Sequence, residues 1–174
     1  NGNIDAMYRL ATMLDYGDGI NENIKEAIKY YKKATDNNHQ EAMFRYAMIL
    51  YNGEFVDIDF EEANKYFKKL AEKRNRDAMA MFALMVFRMG ALENDRKLAI
   101  EYARTLAEEG DINGMYVYGR MLSESKNHMV KTDIKAASYY LRKSAEKGNE
   151  YAMIIYGQLI DSNNIYLYNE KKIN

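Results

Sequence analysis

Residues 41–50 read EAMFRYAMIL, and the Ala-Met pair within this stretch recurs along the chain at nearly constant spacing. The recurring pairs are Ala6-Met7, Ala42-Met43, Ala78-Met79, Gly114-Met115 and Ala152-Met153. Successive pairs lie 36, 36, 36 and 38 residues apart. A period of this length is typical of a stack of small helical units, because each unit is too short to bury its own apolar face. We therefore predict one continuous repeat array.

Each repeat is predicted to contain two helices, called helix A and helix B throughout. Residues four, five and eight positions after the first residue of the pair are apolar or small, as in Tyr46, Ala47 and Leu50. This spacing places them on one stripe of helix A. Helix B repeats equally well, with alanines at Ala27, Ala63, Ala99 and Ala137. The pattern predicts an all-α fold, an α-solenoid of antiparallel helix pairs.

The predicted array is one solenoid segment over residues 1–174, with about four and a half repeats. The repeats are placed at residues 3–38, 39–74, 75–110, 111–148 and, incompletely, 149–174. The chain starts where a preceding repeat would end and stops within its fifth repeat. We expect it to be an excerpt of a longer array.

Polar and glycine residues mark the ends of the helices. The predicted N-caps of helix B, whose side-chain oxygens can accept hydrogen bonds from the first turn, are Asn23, Asp59, Asp95 and Asp133. Helix B is expected to end before residues that tolerate the left-handed conformation, at Asn38, Gly110 and Gly148. Arg74 occupies this position in the second repeat, so its turn should differ from the others or carry strain.

The composition excludes several classes of function. The net charge is −1, with 25 basic and 26 acidic residues, so the chain lacks the basic surplus typical of proteins that bind nucleic acid or anionic membranes. No apolar run is long enough to span a bilayer. Cysteine is absent, which excludes disulfides and thiolate metal sites.

No pattern of catalytic or metal-binding residues stands out. His39 and His128 are isolated from each other, whereas a metal site needs several converging ligands. Motifs of the Gly-x-Ser-x-Gly or phosphate-loop type are absent. Gly17-Asp18-Gly19 is interpreted as a turn, because the carboxylates that follow lack calcium-loop spacing. We predict no catalytic, cofactor-binding or metal-binding residues, no cofactor, and no enzymatic activity in this segment.

Several short motifs together carry a family resemblance. The first repeat contains Leu10-Ala11, Gly17-Asp18-Gly19-Ile20, Lys25-Glu26-Ala27, Tyr30-Tyr31 and Lys32-Lys33-Ala34. The fourth repeat contains Tyr118-Gly119, Lys135-Ala136-Ala137, Tyr139-Tyr140 and Ser144-Ala145-Glu146-Lys147-Gly148-Asn149. This combination resembles the Sel-one-like repeat (SLR) family, a relative of the tetratricopeptide repeats. The third repeat departs most, because Met89-Gly90-Ala91 replaces the Gly-x-Gly loop.

The resemblance implies a right-handed superhelix with helix A on its concave side. At 100° per residue, the positions two, three and six residues after the first residue of each pair point away from the core stripe. The predicted partner-binding residues on this face are Tyr8, Arg9, Phe44, Arg45, Met48, Met81, Leu84, Tyr116, Val117, Arg120, Ile154 and Ile155. Aromatic residues, Met and Arg are enriched at protein interfaces, so the face is predicted to bind a helix or extended peptide. The alternative is that packing within the array buries part of it.

The resemblance also implies a function. Proteins of this family look like adaptors that assemble complexes, so we predict a non-catalytic scaffold that binds a protein or peptide within a multi-protein complex. Nucleic-acid binding and direct membrane insertion are not expected. Two alternatives stay open, namely a permanent structural subunit of a large cytoskeletal or membrane-associated assembly and a regulatory arm of an enzyme outside this segment.

Overall fold

A computed structural model describes residues 3–124 and 130–163, and every regular element in this part of the chain is an α-helix. The helices are α1 Ile4–Tyr16, α2 Ile24–Asp36, α3 Gln40–Asn52, α4 Phe60–Ala71, α5 Arg76–Met89, α6 Glu93–Glu108, α7 Ile112–Ser123, α8 Ile134–Glu146 and α9 Glu150–Asn163. Odd-numbered helices are the predicted A helices and even-numbered helices are the predicted B helices. The all-α prediction of alternating A and B helices is therefore confirmed. The end of the fifth predicted repeat and His128 lie outside the described residues.

The chain divides into two compact units, one ending at Ala78 and the other starting at Met79. In the first unit α1 packs on α2, α2 on α3, and α3 on α4. In the second unit α6 packs on α7, α7 on α8, and α8 on α9, and α7 also contacts α9. Helices adjacent in sequence are thus adjacent in space within each unit.

Small residues bring the helices close together. The helix B alanines predicted from the repeat, Ala27, Ala63, Ala99 and Ala137, are all fully buried. A side chain at Gly119 in α7 would place its Cβ 2.9 Å from Cγ of Leu141 and 3.1 Å from the Leu141 backbone nitrogen in α8. These distances are shorter than ordinary van der Waals contact. The close approach of α7 and α8 therefore requires a residue without a side chain at this position.

An edge-to-face aromatic pair joins helix A to helix B in three successive repeats. The pairs are Tyr46–Tyr66, Phe82–Tyr102 and Tyr118–Tyr140, with ring centroids 5.8, 6.2 and 5.3 Å apart and interplanar angles of 62°, 69° and 66°. This geometry suits the quadrupoles of the two rings, and such a pair contributes about 0.5–1.5 kcal/mol beyond the area it buries. The aromatic positions of the sequence repeat therefore form the same contact in each of these three repeats.

The A helices share a capping arrangement at the 36-residue period. The side chains of Asn3, His39, Asn75, Asp111 and Asn149 each accept a hydrogen bond from the backbone N–H three residues later, at 2.8–3.2 Å. Each cap satisfies one of the N–H groups that a helix start leaves without an internal partner, which stabilises the helix by about 1 kcal/mol. His39 acts through Nδ1, so this nitrogen must be unprotonated in the cap.

The helix B caps agree with the prediction at three of four positions. The side chains of Asn23, Asp59 and Asp133 accept hydrogen bonds from the backbone three residues later, at 3.2, 2.9 and 2.9 Å. The prediction for Asp95 was wrong, because α6 begins earlier, at Glu93, and Asp95 lies in its first turn. The residue at the cap position, Leu92, makes no side-chain capping bond. Acidic side chains in the first turn stabilise this start through the positive end of the helix dipole.

The ends of the B helices also follow the predicted pattern. The residues Asn38, Arg74, Gly110 and Gly148 all have positive φ values, of 64°, 61°, 75° and 96°. The same two backbone bonds close each turn, as from Arg74 N–H to Ala71 at 2.8 Å and from Asn75 N–H to Leu70 at 3.1 Å. Arg74 thus keeps the turn of the other repeats, and its β-carbon carries the strain of the left-handed conformation.

Replacing Arg74 by glycine should stabilise the protein by about 0.5–1 kcal/mol, because relief of the left-handed strain outweighs the added freedom of the unfolded chain. Gly148→Ala serves as the reverse control. No atom of the described residues lies within 4 Å of the added Cβ, so the substitution affects only the backbone conformation. This control should lower stability by about 1 kcal/mol. Urea unfolding of both variants checks the prediction, and a loss of stability in Arg74→Gly would contradict it.

Gly119 and Gly157 occupy the same position in successive repeats and make a matched pair for testing helix approach. Gly119→Ala should cost about 1–2 kcal/mol, because the clash with α8 exceeds the gain in helix propensity. Among the described residues, nothing lies within 4 Å of a Cβ at Gly157, so Gly157→Ala should leave stability unchanged or raise it slightly. Thermal unfolding of both variants gives the comparison, and equal effects would show that packing at Gly119 is loose.

Candidate functional site

The predicted helix A face is partly accessible in the first unit. Arg9 is exposed, and Tyr8, Phe44, Arg45 and Met48 are half-buried. These positions were expected to point away from the core stripe, and four of the five residues are only partly turned away from it. The first unit therefore presents a mixed aromatic, sulfur-containing and cationic surface along α1 and α3.

The aromatic residues of this surface are held by contacts on their inner side. The Tyr8 ring stacks on the His39 ring with centroids 4.6 Å apart, and it also lies 6.1 Å from the buried Tyr31 ring. Phe44 meets the buried Phe67 ring edge-on at 5.6 Å. These contacts restrict the side-chain rotamers, so less conformational entropy would be lost when a partner covers the exposed edges.

Arg45 is held by a network inside the first unit. Its Nε and Nη2 donate to Oδ2 and Oδ1 of Asp15 at 2.9 and 3.1 Å, and its Nη1 lies 3.1 Å from Oε2 of Glu54. The Tyr31 hydroxyl donates to the same Asp15 carboxylate at 3.0 Å. The Asp15 side chain is only 4% exposed, so Arg45 neutralises a carboxylate that water scarcely reaches. The network joins α1, α2, α3 and the loop after α3.

The Tyr31 phenol and the Arg45 guanidinium keep their protons over a wide pH range. Burial raises the pKa of Tyr31 to about 12, with the Asp15 carboxylate acting in the same direction and a hydrogen bond from Thr12 opposing it. Hydrogen bonding to Asp15 raises the pKa of Arg45 above its ordinary value. Near neutral pH the phenol therefore stays a donor and the guanidinium stays charged. This arrangement suits a structural role, because acid-base catalysis needs a group that titrates near the working pH.

In the second unit the prediction of an outward face was wrong for two residues. Tyr116 and Val117 are buried, with exposures of 7% and 2%. The Tyr116 ring lies 6.0 Å from the Tyr151 ring, and α7 contacts α9, the next A helix. Packing between these two A helices buries positions that a single-helix projection assigns to solvent. For these residues the alternative, burial within the array, is the correct one.

The other predicted residues of the second unit differ in their accessibility. Met81, Leu84 and Ile155 are half-buried, and Ile154 is exposed. Arg120 is half-buried as well; its Nη1 donates to the Tyr116 hydroxyl at 3.1 Å, and its guanidinium lies 5.8 Å from the centre of the Phe87 ring. Its Nε lies 3.5 Å from the Glu124 carboxylate, a spacing that permits an ion pair but meets no hydrogen-bond geometry. Arg120, like Arg45, is engaged by its own unit.

The charged side chains of the described residues form no metal-binding group. Within 3–124 and 130–163, no three His, Asp or Glu side chains come together to hold a metal ion. None of the helices in these ranges is long and apolar enough to cross a membrane. An open depression of about 580 Å³ lies against α6, but its charged residues Lys97, Glu101, Arg104 and Glu108 mix both signs. Such a mixed lining is typical of a solvated helix face.

Consecutive helix pairs, recurring buried alanines and recurring caps define a helical-repeat protein of the α-solenoid class. The sequence model of the Sel1 repeat family matches residues 4–39, 40–75, 77–111 and 112–149. These matches cover most of the chain, so the chain belongs to the Sel1 repeat family. The resemblance inferred from the motifs is confirmed. Sel1 repeats generally mediate protein–protein interactions.

Two solved structures are similar to this chain. The first is c5321, a protective antigen present in uropathogenic Escherichia coli strains that displays an SLR fold, with a TM-score of 0.76 and 28% identity. The second is a Sel1 repeat protein from Oxalobacter formigenes, with a TM-score of 0.69 and 26% identity. The matches cover 97% and 88% of this chain but only 34% and 62% of the two relatives. No curated protein matches the chain by sequence.

Arg45 and Arg9 occupy equivalent positions in successive repeats, which makes the role of the network testable. Arg45→Leu should destabilise the protein by about 2–4 kcal/mol, because the buried Asp15 carboxylate loses its partner. Arg9→Leu, at an exposed position, should change stability by less than about 0.5 kcal/mol. In urea unfolding, the double variant Asp15→Leu/Arg45→Leu should recover part of the loss. Equal effects of Arg45→Leu and Arg9→Leu would show that the network contributes little.

Proposed function

We propose that this chain is a non-catalytic adaptor segment that binds a helix or extended peptide of a partner protein against its helix A face. The observation that carries the proposal is the run of Sel1 repeats over most of the chain, since repeats of this family generally mediate protein–protein interactions. Within a compact unit, stacked repeats present the side chains of successive A helices next to one another, which suits an elongated partner.

The accessible residue types support this location. In the first unit the surface combines Tyr8, Arg9, Phe44 and Met48, the types enriched at protein interfaces. The Tyr8 ring contacts Tyr31 and His39, and the Phe44 ring contacts Phe67. The surface is therefore largely formed before a partner binds. In the second unit Met81, Leu84, Ile154 and Ile155 stay at least partly accessible, whereas Tyr116 and Val117 do not.

The helix B surface has a different character. In α2 the side chains of Lys29, Lys32 and Lys33 are exposed, with Glu26 and Asp36 among them. A run of exposed charges of both signs costs much desolvation energy to bury and is usually a solvated face. Helix B therefore supplies a matched control surface on the same unit.

The test places a photo-crosslinking amino acid at Arg9 on the helix A face or at Lys29 on α2, both of which are exposed. The two proteins are irradiated in extract from the source cells, and the crosslinked partner is identified by mass spectrometry. We then expect the purified partner to crosslink through position 9 at several times the yield of position 29, because only helix A is covered. Equal yields from both positions, or a higher yield at position 29, would contradict the proposal.

The same purified pair distinguishes an adaptor from a permanent subunit. Unlabelled chain is added to the labelled complex, and the loss of label is followed over time. An exchanging adaptor loses its label within minutes to hours, whereas a fixed structural subunit keeps it. Retention of the label would therefore favour the alternative of a permanent structural role.

A further inference from the structure

The loop between α3 and α4 and the first residue of α4 expose three large apolar side chains within six residues. Residues 53–62 read GEFVDIDFEE, and Phe55, Ile58 and Phe60 are 66%, 56% and 40% exposed. Single exposed apolar residues are ordinary on a protein surface, but a contiguous group often marks an interaction site. These residues are not among those predicted for the helix A face.

Phe55 also holds an unfavourable backbone conformation. Its φ is 60°, in the left-handed region that a bulky residue rarely adopts. The residue 36 positions earlier, in the loop between α1 and α2, is Gly19, with a φ of 73°. Glycine meets this requirement without strain, whereas Phe55 bears the strain and stays largely outside the core. Strain of this kind, without burial to compensate it, points to a role beyond folding.

The first repeat shows that the turn itself does not need apolar side chains. The equivalents of Phe55 and Ile58 there are Gly19 and Glu22. Both loops are nevertheless closed by the same backbone bond, from Asn23 N–H to Leu14 at 2.8 Å and from Asp59 N–H to Leu50 at 3.0 Å. Phe55 and Ile58 are therefore additions to a turn that forms without them, whereas the equivalent of Phe60 in the first repeat is the apolar Ile24.

Two of the three apolar residues rest on neighbouring groups. Ile58 packs on Gly53, where an added Cβ would lie 2.6 Å from Cγ1 of Ile58. The Phe60 ring lies 5.6 Å from the Tyr51 ring of α3. Glu54, which directly precedes Phe55, is held by Arg45 at 3.1 Å and by the Asn52 side-chain amide at 2.7 Å. These contacts hold Ile58, Phe60 and Glu54 in place before a partner binds.

The charge around the patch indicates the chemistry of its partner. Residues 53–62 contain five acidic residues and no basic one, and Asp57 and Glu61 are exposed beside the apolar side chains. An acidic rim around an apolar centre attracts a segment of opposite charge and repels one of like charge. We propose that Phe55, Ile58 and Phe60 form a second docking surface, which binds a Lys- or Arg-rich peptide segment of a protein partner through its apolar side chains.

In the experiment, peptides from a random displayed library are selected for binding to the full chain. Peptides that also bind the Phe55→Gly variant are removed by counter-selection. We expect enriched peptides to carry net positive charge and at least two large apolar residues. A synthetic copy of the best peptide should bind the full chain in fluorescence anisotropy. Phe55→Gly should weaken binding roughly tenfold or more, and Asp57→Lys by a similar factor, because apolar contact and charge both contribute. Enrichment of neutral or acidic peptides would overturn the proposal.

Thermal unfolding separates lost binding from lost folding. Phe55→Gly relieves the backbone strain, so its melting temperature should rise by about 2–4 °C while peptide binding falls. Leu92→Ser serves as control, because Leu92 is 81% exposed in the second unit and serine is a favourable N-cap. This control should bind the peptide as the wild type does. A comparable loss of binding in Leu92→Ser would overturn the proposal, as would dimerisation of the full chain that Phe55→Gly abolishes.

Discussion

Close approach of helices at small residues is the constraint on which the rest of this protein depends. One helix pair cannot bury its own apolar stripe, so each helix must also pack on its neighbours. The buried alanines of helix B and the glycine at position 119 allow that packing, because larger side chains would hold the backbones apart. Once the helices approach, the edge-to-face aromatic pairs can meet. The contacts between helices therefore recur with the same 36-residue period as the sequence motifs.

The same packing decides which residues are left for a partner. On an isolated A helix, positions two and three after the first residue of the pair would face solvent. Contact between α7 and α9 buries them at Tyr116 and Val117, whereas the corresponding Tyr8 and Arg9 keep some or all of their exposure. Equivalent positions of a repeat therefore differ in their accessibility. Which residues of a helix are accessible therefore depends on the helices that pack against it.

Charged residues divide between structure and surface in a similar way. Arg45 neutralises a buried carboxylate and is committed to its own unit, although its residue type and position resemble those of the exposed Arg9. The acidic loop after α3 contributes Glu54 to that network and leaves Asp57 and Glu61 in solvent. The network therefore also positions the loop that carries the exposed apolar side chains.

Local features of this protein follow from the sequence. Helix caps, left-handed residues at helix ends and apolar stripes each depend on residues a few positions apart. The helix pairs, most of the predicted caps and the turn at Arg74 could therefore be predicted. The start of α6 was missed because acidic residues in its first turn replaced the expected cap. Tertiary structure decided the rest. The Asp15–Arg45 pair joins residues 30 positions apart, and the burial of Tyr116 depends on α9. No local pattern encodes these contacts, because they arise only when separate helices pack.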